Sequence, residues 1–223
     1  MRLAFFAACA LTALAVTRSA AASGIALETS VDARDVWLRA MPPITLHAPV
    51  DTPLRTLPPG DLPSTGSQQF LAFTWDTGVT VNDRWQVPLF GFQMGGAVGT
   101  SSEGVASLDG TLVHLRPWSS DILSFLLPGI GARAKERRWM FSAQVRPVVT
   151  LVWMNDLAAV GASSADVGPG QEAFALGLGA RAELEVCRRI DPVQRACLLV
   201  SPALYEFSAM NGGSIGLRWE VGP

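Results

Sequence analysis

Few residues in this chain stand at a spacing that chemistry could use. Gly212-Gly213-Ser214-Ile215-Gly216 matches the Gly-x-Ser-x-Gly pattern of a serine nucleophile. That pattern needs a strand before it, a helix after it and a histidine further along. Only seven residues follow Gly216, and both histidines, His47 and His114, lie far upstream. Gly129-x-Gly131-x-x-Ala134 and Gly177-x-Gly179-x-x-Ala182 echo dinucleotide fingerprints. No βαβ unit surrounds either, so both read as packing glycines. Glu183 and Glu185 share a face, as a glycosidase pair would, but the nearby Arg181 and Arg218 make charge pairing the simpler reading. The chain is therefore read as no enzyme, with no catalytic residue and no cofactor.

Cys187 and Cys197 remain once the N-terminal segment is set aside. In an exported protein they form one disulfide across a short loop. A metal site is set aside, because two cysteines without a nearby histidine or further cysteine do not complete a zinc shell. Arg133, Arg146, Arg181, Glu183, Glu185, Arg218 and Glu220 all fall on the polar side of an alternating run. Two readings of that cluster stand. It is a charged lumen that conducts or binds a small solute, or a salt-bridged plug in a narrow barrel, where buried charges must pair.

Strands must position these groups. From 172 to 187 the even positions Phe174, Leu176, Leu178, Ala180, Ala182, Leu184 and Val186 are apolar, and the odd ones are small or charged. Successive strand side chains point to opposite faces, and a helix would scatter the charges around its circumference. Setting Cys187 opposite Cys197 brings Val186 to Leu198, Leu184 to Val200 and Ala180 to Leu204, all apolar. Gly179 then meets Tyr205, and Gly177 meets Phe207, so that a ring can lie over bare backbone. A one-residue slip would mix the faces. Ile215, Leu217, Trp219 and Val221 repeat the rule, after an Asn211-Gly212-Gly213 turn.

Upstream, Ile25–Asp32 alternates and predicts a first strand or an extended arm. Seven prolines in 41–67 predict a loop, a linker or a docking segment. Gln69–Val81 and Trp85–Gly99 predict strands joined at Asn82-Asp83. Asp109-Gly110 predicts a tight hairpin or a bulge. Ser119-Ser120-Asp121 before Ile122–Leu127 predicts a short helical turn. Trp139–Trp153 pairs with the run from Ile130 through a Glu136-Arg137 turn, placing Ala134 against Trp139. Asn155–Gln171 reads as a long loop, and 188–195 as a charged solvent loop.

Met1-Arg2, an apolar run from Leu3 to Val16 and Ala20-Ala21-Ala22 make a secretory signal peptide over 1–22. Residues 23–68 hold the first strand and the Pro-rich loop, and 69–223 the barrel. Charged residues are only 16% and the net charge is −2, so nothing points to nucleic acid. The fold class is all-β: an antiparallel up-and-down β-barrel of about eight to ten strands.

With Trp75, Trp85, Trp118, Trp139, Trp153 and Trp219 near strand ends, the pattern over 69–221 resembles small bacterial outer-membrane β-barrels. The resemblance implies strands that cross the membrane, aromatic girdles at the two interfaces, outer-membrane lipid as the surrounding partner, and an outer-membrane location. It also implies a structural, small-channel or surface-interaction role, with any solute or surface partner left open. The alternative is a soluble periplasmic or secreted barrel that binds a small apolar ligand inside.

Overall fold

Each of these strands has two unlike faces, and the chain accommodates both by closing a sheet on itself. The computed structural model describes residues 25–38, 44–46, 68–100, 104–108, 111–115, 117–160, 166–205 and 212–222. Twelve strands form a single sheet. They are β1 (Ile25–Leu38), β2 (Ile44–Leu46), β3 (Gln68–Val81), β4 (Trp85–Ala97), β5 (Gly104–Leu108), β6 (Thr111–Leu115), β7 (Ser119–Leu126), β8 (Ile130–Glu136), β9 (Trp139–Val160), β10 (Asp166–Arg189), β11 (Gln194–Tyr205) and β12 (Gly212–Val221).

The barrel has eight antiparallel staves: β1, β3, β4, β7 with β8, β9, β10, β11 and β12. β1 pairs with both β3 and β12, so it is the closing stave and lies upstream of the Pro-rich segment. β5, β6 and β2 extend the sheet beyond the barrel, joined through Leu115 opposite Ala159. One rim carries the turns at 82–84, 137–138 and 190–193, together with the start of β1 and the end of β12. At the other rim the staves are separated by longer stretches of sequence, 39–67, 98–118, 161–165 and 206–211.

The β10–β11 register is the one the sequence predicts, with Cys187 opposite Cys197 and Gly179 opposite Tyr205. Asn82 and Asp83 both have positive φ, as a two-residue hairpin turn requires. β5 and β6 pair antiparallel, with Leu108 opposite Thr111, while Asp109-Gly110 lies outside the described residues.

Four expectations are corrected. The Ser119–Leu127 helical turn is strand β7, held between β4 and β9. Its alternation is hidden because inward Ile122 and Leu126 are as apolar as the outward residues. The β8–β9 turn is Arg137-Arg138, not Glu136-Arg137, so Ala134 faces Phe141 and Glu136 faces Trp139. The long loop at Asn155–Gln171 is mostly strand, because β9 runs to Val160 and β10 begins at Asp166. The charged loop shortens as well, since Arg189 pairs with Arg195.

The expected signal peptide lies outside the described residues, as do Phe207 and all of 41–67 except β2.

The fourth stave is broken between β7 and β8 at Leu127-Pro128-Gly129. Leu126 faces Val148 but Ile130 faces Val145, so β9 advances one residue fewer than its partner. Pro128 has no donor to give the ladder. Leu127 N instead donates to Pro147 O at 3.0 Å, and Gly129 N to Pro88 O at 3.0 Å. Pro88 itself lies at a register shift in β4 that turns both Leu89 and Phe90 outward.

Gly179 shows why this wall needs glycine. Tyr205 on β11 reaches across β10 to Thr150 on β9, hydroxyl to hydroxyl at 2.9 Å. A Cβ on Gly179 would fall 2.3 Å from the Leu204 carbonyl oxygen and 2.8 Å from Tyr205 Cδ1. Gly179→Val is expected to destabilise the folded barrel by about 1–3 kcal/mol through overpacking. Urea titration followed by tryptophan fluorescence measures it.

Candidate functional site: the ion-paired lumen

The strand alternation puts charge inside and hydrocarbon outside. All seven charged residues expected in the lumen are there: Arg133, Arg146, Arg181, Glu183, Glu185, Arg218 and Glu220 are each at most 5% exposed. The fold adds five more buried charges: Glu28, Asp32, Arg34, Asp76 and Arg195. Among the described residues, six buried arginines thus face six buried carboxylates. Glu28, Asp32 and Asp76 lie on the polar faces of their alternating runs, so that signal was present. Arg195 was hidden in the expected loop.

The charges form three connected groups. Near the short-turn rim, Arg133 donates to Glu28 at 2.5 and 2.7 Å and to Glu220 at 3.0 Å. Arg195 donates to the same Glu220 at 2.8 Å. One level further in, Arg218 donates to Asp32 at 3.0 Å, to Glu183 at 3.1 Å and to Glu185. Arg34 joins Asp32 to Glu183, at 2.5 and 2.6 Å. Gln144 donates to Glu183, and Ser142 to Glu185 at 3.0 Å. Arg181 pairs with Glu183 at 3.2 Å and donates to Ser201 at 2.8 Å and to Gln93 at 3.1 Å.

The third group is Arg146 with Asp76, at 2.5 Å. Arg146 also donates to the carbonyls of Leu126 and Leu127, at 3.1 and 2.9 Å. It therefore fastens the broken stave from inside.

Nearly every acceptor in this interior has a donor, which is what makes the burial of charge tolerable. Asp76 Oδ1, Gln86 Oε1 and Gln144 Oε1 have no protein partner. Their residues line a cavity of about 20 Å³. That volume suits one water molecule, which can donate to two of them.

Above the charges, Val36, Phe70, Leu115, Trp118, Ile122 and Val152 fill the long-loop end of the barrel. Trp118, expected in an outer girdle, is only 3% exposed and belongs to this apolar fill. Trp37 takes a place on the outer surface instead, with Trp85, Trp139, Trp153 and Trp219. Trp75 also faces outward, its ring centroid 5.7 Å from that of Phe92.

At the other end the Cys187–Cys197 disulfide packs on Met140. The fold brings Glu185 and Glu220 up to both sulfurs, with all four ligand atoms within 4.8 Å of one another. The neighbours of the sulfurs are thus carboxylates, and neither a histidine nor a third cysteine is among them. Both sulfurs are committed to the disulfide, and both carboxylates to arginines. Reduction is expected to cost about 2–3 kcal/mol through loop entropy. A reduced sample should unfold at correspondingly lower urea while keeping its folded gel mobility without denaturant.

Ser214 is buried inside β12, with Arg181 at 3.4 Å from its hydroxyl. A strand continues after it where a nucleophile elbow needs a helix. The arrangement around Ser214 holds charge in place.

No protein-family model matches the chain, and no curated protein matches it. Among solved structures it is similar to Neisserial surface protein A, at 10% identity and TM-score 0.46, over 89% of this chain and 97% of that one. It is also similar to Ail, the attachment invasion locus protein of Yersinia pestis, in complex with the heparin analogue sucrose octasulfate. There the identity is 10% and the TM-score 0.48, over 89% of this chain and 99% of that one. A third similar structure is the outer membrane protein OprG from Pseudomonas aeruginosa, at 9% identity and TM-score 0.37, over 90% of this chain and 94% of that one.

Proposed function

We propose that this chain is an outer-membrane β-barrel with a sealed lumen, a structural or surface-interaction protein that works through its long-loop end. One observation carries the reading: the barrel is inside out relative to a soluble one. Leu71, Phe73, Val145, Leu176, Leu184, Leu198, Leu204 and Leu217 stand exposed on its outer wall, while arginine and carboxylate fill its centre. Water on that wall would be costly, whereas lipid is not. A soluble barrel that holds an apolar ligand would need the reverse arrangement.

The small-channel role is the weaker part of the expectation. Arg34, Arg146 and Glu183 have no solvent exposure, so no water-filled passage reaches them. The short-turn rim then faces the periplasm and the long-loop rim the outside. The sheet extension of β2, β5 and β6 stands on the outer side.

The test is fractionation followed by gel mobility with and without boiling, then conductance in planar bilayers. Outer-membrane recovery, a heat-dependent shift and no conductance steps are expected. Release as a soluble monomer without detergent would overturn the membrane reading. Stepwise conductance would overturn the sealed lumen.

A further inference from the structure

The short-turn rim has a charge pattern that the barrel wall does not require. Arg84, Lys135, Arg137, Arg138, Arg188 and Arg189 stand there against Asp83, Glu136 and Asp191. All six cations lie on one arc, the ends of β4, β8, β9 and β10. Among the described residues, the rest of the rim, where β11, β12, β1 and β3 end, adds only Arg195, which is buried against Glu220 and Glu28.

The acids do little to neutralise the arc. Asp83 is taken by Lys135 at 2.5 Å, and that ammonium holds its carboxyl below the usual carboxylate range. Asp191 Oδ1 accepts from the backbone of Val193 and Gln194, each at 2.8 Å, and so builds the loop. Among the described residues no carboxylate pairs with Arg137, Arg138 or Arg188.

The backbone holds the arginines together. Arg189 N donates to Arg138 O at 2.8 Å, and Arg188 sits opposite Trp139. Arg189 turns its guanidinium toward the carbonyls of Asp191 and Pro192, at 3.0 and 3.2 Å. Between the two loops lies an open hollow of about 70 Å³, lined by Lys135, Arg137, Arg138, Trp139, Met140, Arg189 and Arg195. No acid lines it. Like charges fixed this close repel one another unless an anion lies between them.

Position tells which anion. Trp85 and Trp139 stand 55% and 47% exposed on the outer wall beside this arc. In a membrane barrel such tryptophans sit at headgroup level. Arg188 shares the outer wall with Trp139, so the arc stands at the level of inner-leaflet phosphates, and the hollow opens beside it at the mouth of the barrel. A guanidinium matches a phosphate through paired N–H donors. We infer that the arc formed by Arg137, Arg138, Arg188 and Arg189 is a binding site for the headgroup phosphate of an anionic phospholipid in the periplasmic leaflet. This rests on the membrane reading above.

The test uses the full chain, purified from bacterial outer membranes, with folding checked by heat-dependent gel mobility. Native mass spectrometry then counts retained lipid as phosphatidylglycerol or phosphatidylcholine is titrated into the detergent. Phosphatidylglycerol should be retained in clear preference. The combined variant Arg137→Gln, Arg138→Gln and Arg189→Gln should lose roughly a hundredfold in apparent affinity while keeping its mobility shift. Lysine at the same three positions should keep most of the binding. Equal retention of the two lipids, or an unchanged glutamine variant, would overturn the site. Full displacement of phosphatidylglycerol by inorganic phosphate would overturn its assignment to lipid. Absence of any heat-shifted species would instead strike the membrane reading itself, and the site would fall with it.

Discussion

Arg218→Met should cost about 3–5 kcal/mol of folding stability, the largest single effect expected in this chain. Arg218 is the hub of the inner ion network and serves Asp32, Glu183 and Glu185 at once. Asp32 would keep Arg34, and Glu183 would keep Arg34 and Arg181. Glu185 would keep only the Ser142 hydroxyl, a buried carboxylate without a cation. Adding Glu185→Gln to Arg218→Met removes that unpaired charge and preserves an acceptor for Ser142. The double variant should recover at least half of the loss. Urea titration in lipid vesicles gives both numbers. A single variant within about 0.5 kcal/mol of the parent, as at an unconstrained surface site, would show that the network is not what holds the lumen.

Val145→Arg is expected to cost about 2–4 kcal/mol in a bilayer. Val145 is 53% exposed on the outer wall, between Trp139 and Trp153 of the same strand. At about 3.4 Å per residue it lies roughly 20 Å along the strand from Trp139, near the middle of the apolar band. An outward arginine there has no water and no partner. The same change on a soluble barrel would place a charge in solvent and alter stability by about 0.5 kcal/mol or less. Comparing Val145→Arg in vesicles by urea titration separates the two environments. Leu178, also outward and 48% exposed, should respond in the same direction.

Much of this barrel was legible because a period of two is hard to counterfeit. The inward positions of Arg181, Glu183 and Glu185 followed from the alternation of β10 alone, and the cysteine pair set the β10–β11 register. The β8–β9 register was missed by two residues for a related reason. Shifting a strand by two leaves each side chain on its own face, so Ala134 opposite Phe141 satisfies the pattern as well as Ala134 opposite Trp139. Only the turn decides, and Arg137 adopts a φ of 54° without being a glycine or asparagine that would announce it. β7 was missed because its inward Ile122 and Leu126 belong to the apolar fill, which erases the contrast between faces. Arg34 bonded to Glu183, or Arg133 to Glu28, is a partnership across a closed lumen. Local pattern marks each of these residues as inward but not which of them meet.

The seam between β1 and β12 gives the barrel a test of its own completeness. β1 waits for β12, since Ala33 finds Leu217, and Asp32 finds Arg218, only when the ten residues of β12 arrive. A chain cut between β11 and β12 leaves two strand edges open and strands Glu185 without its cation. Such a fragment cannot settle in a bilayer, where unpaired backbone groups and lone charges are most expensive. On the membrane reading, truncated products are expected to fail to insert, while the intact chain can close the seam.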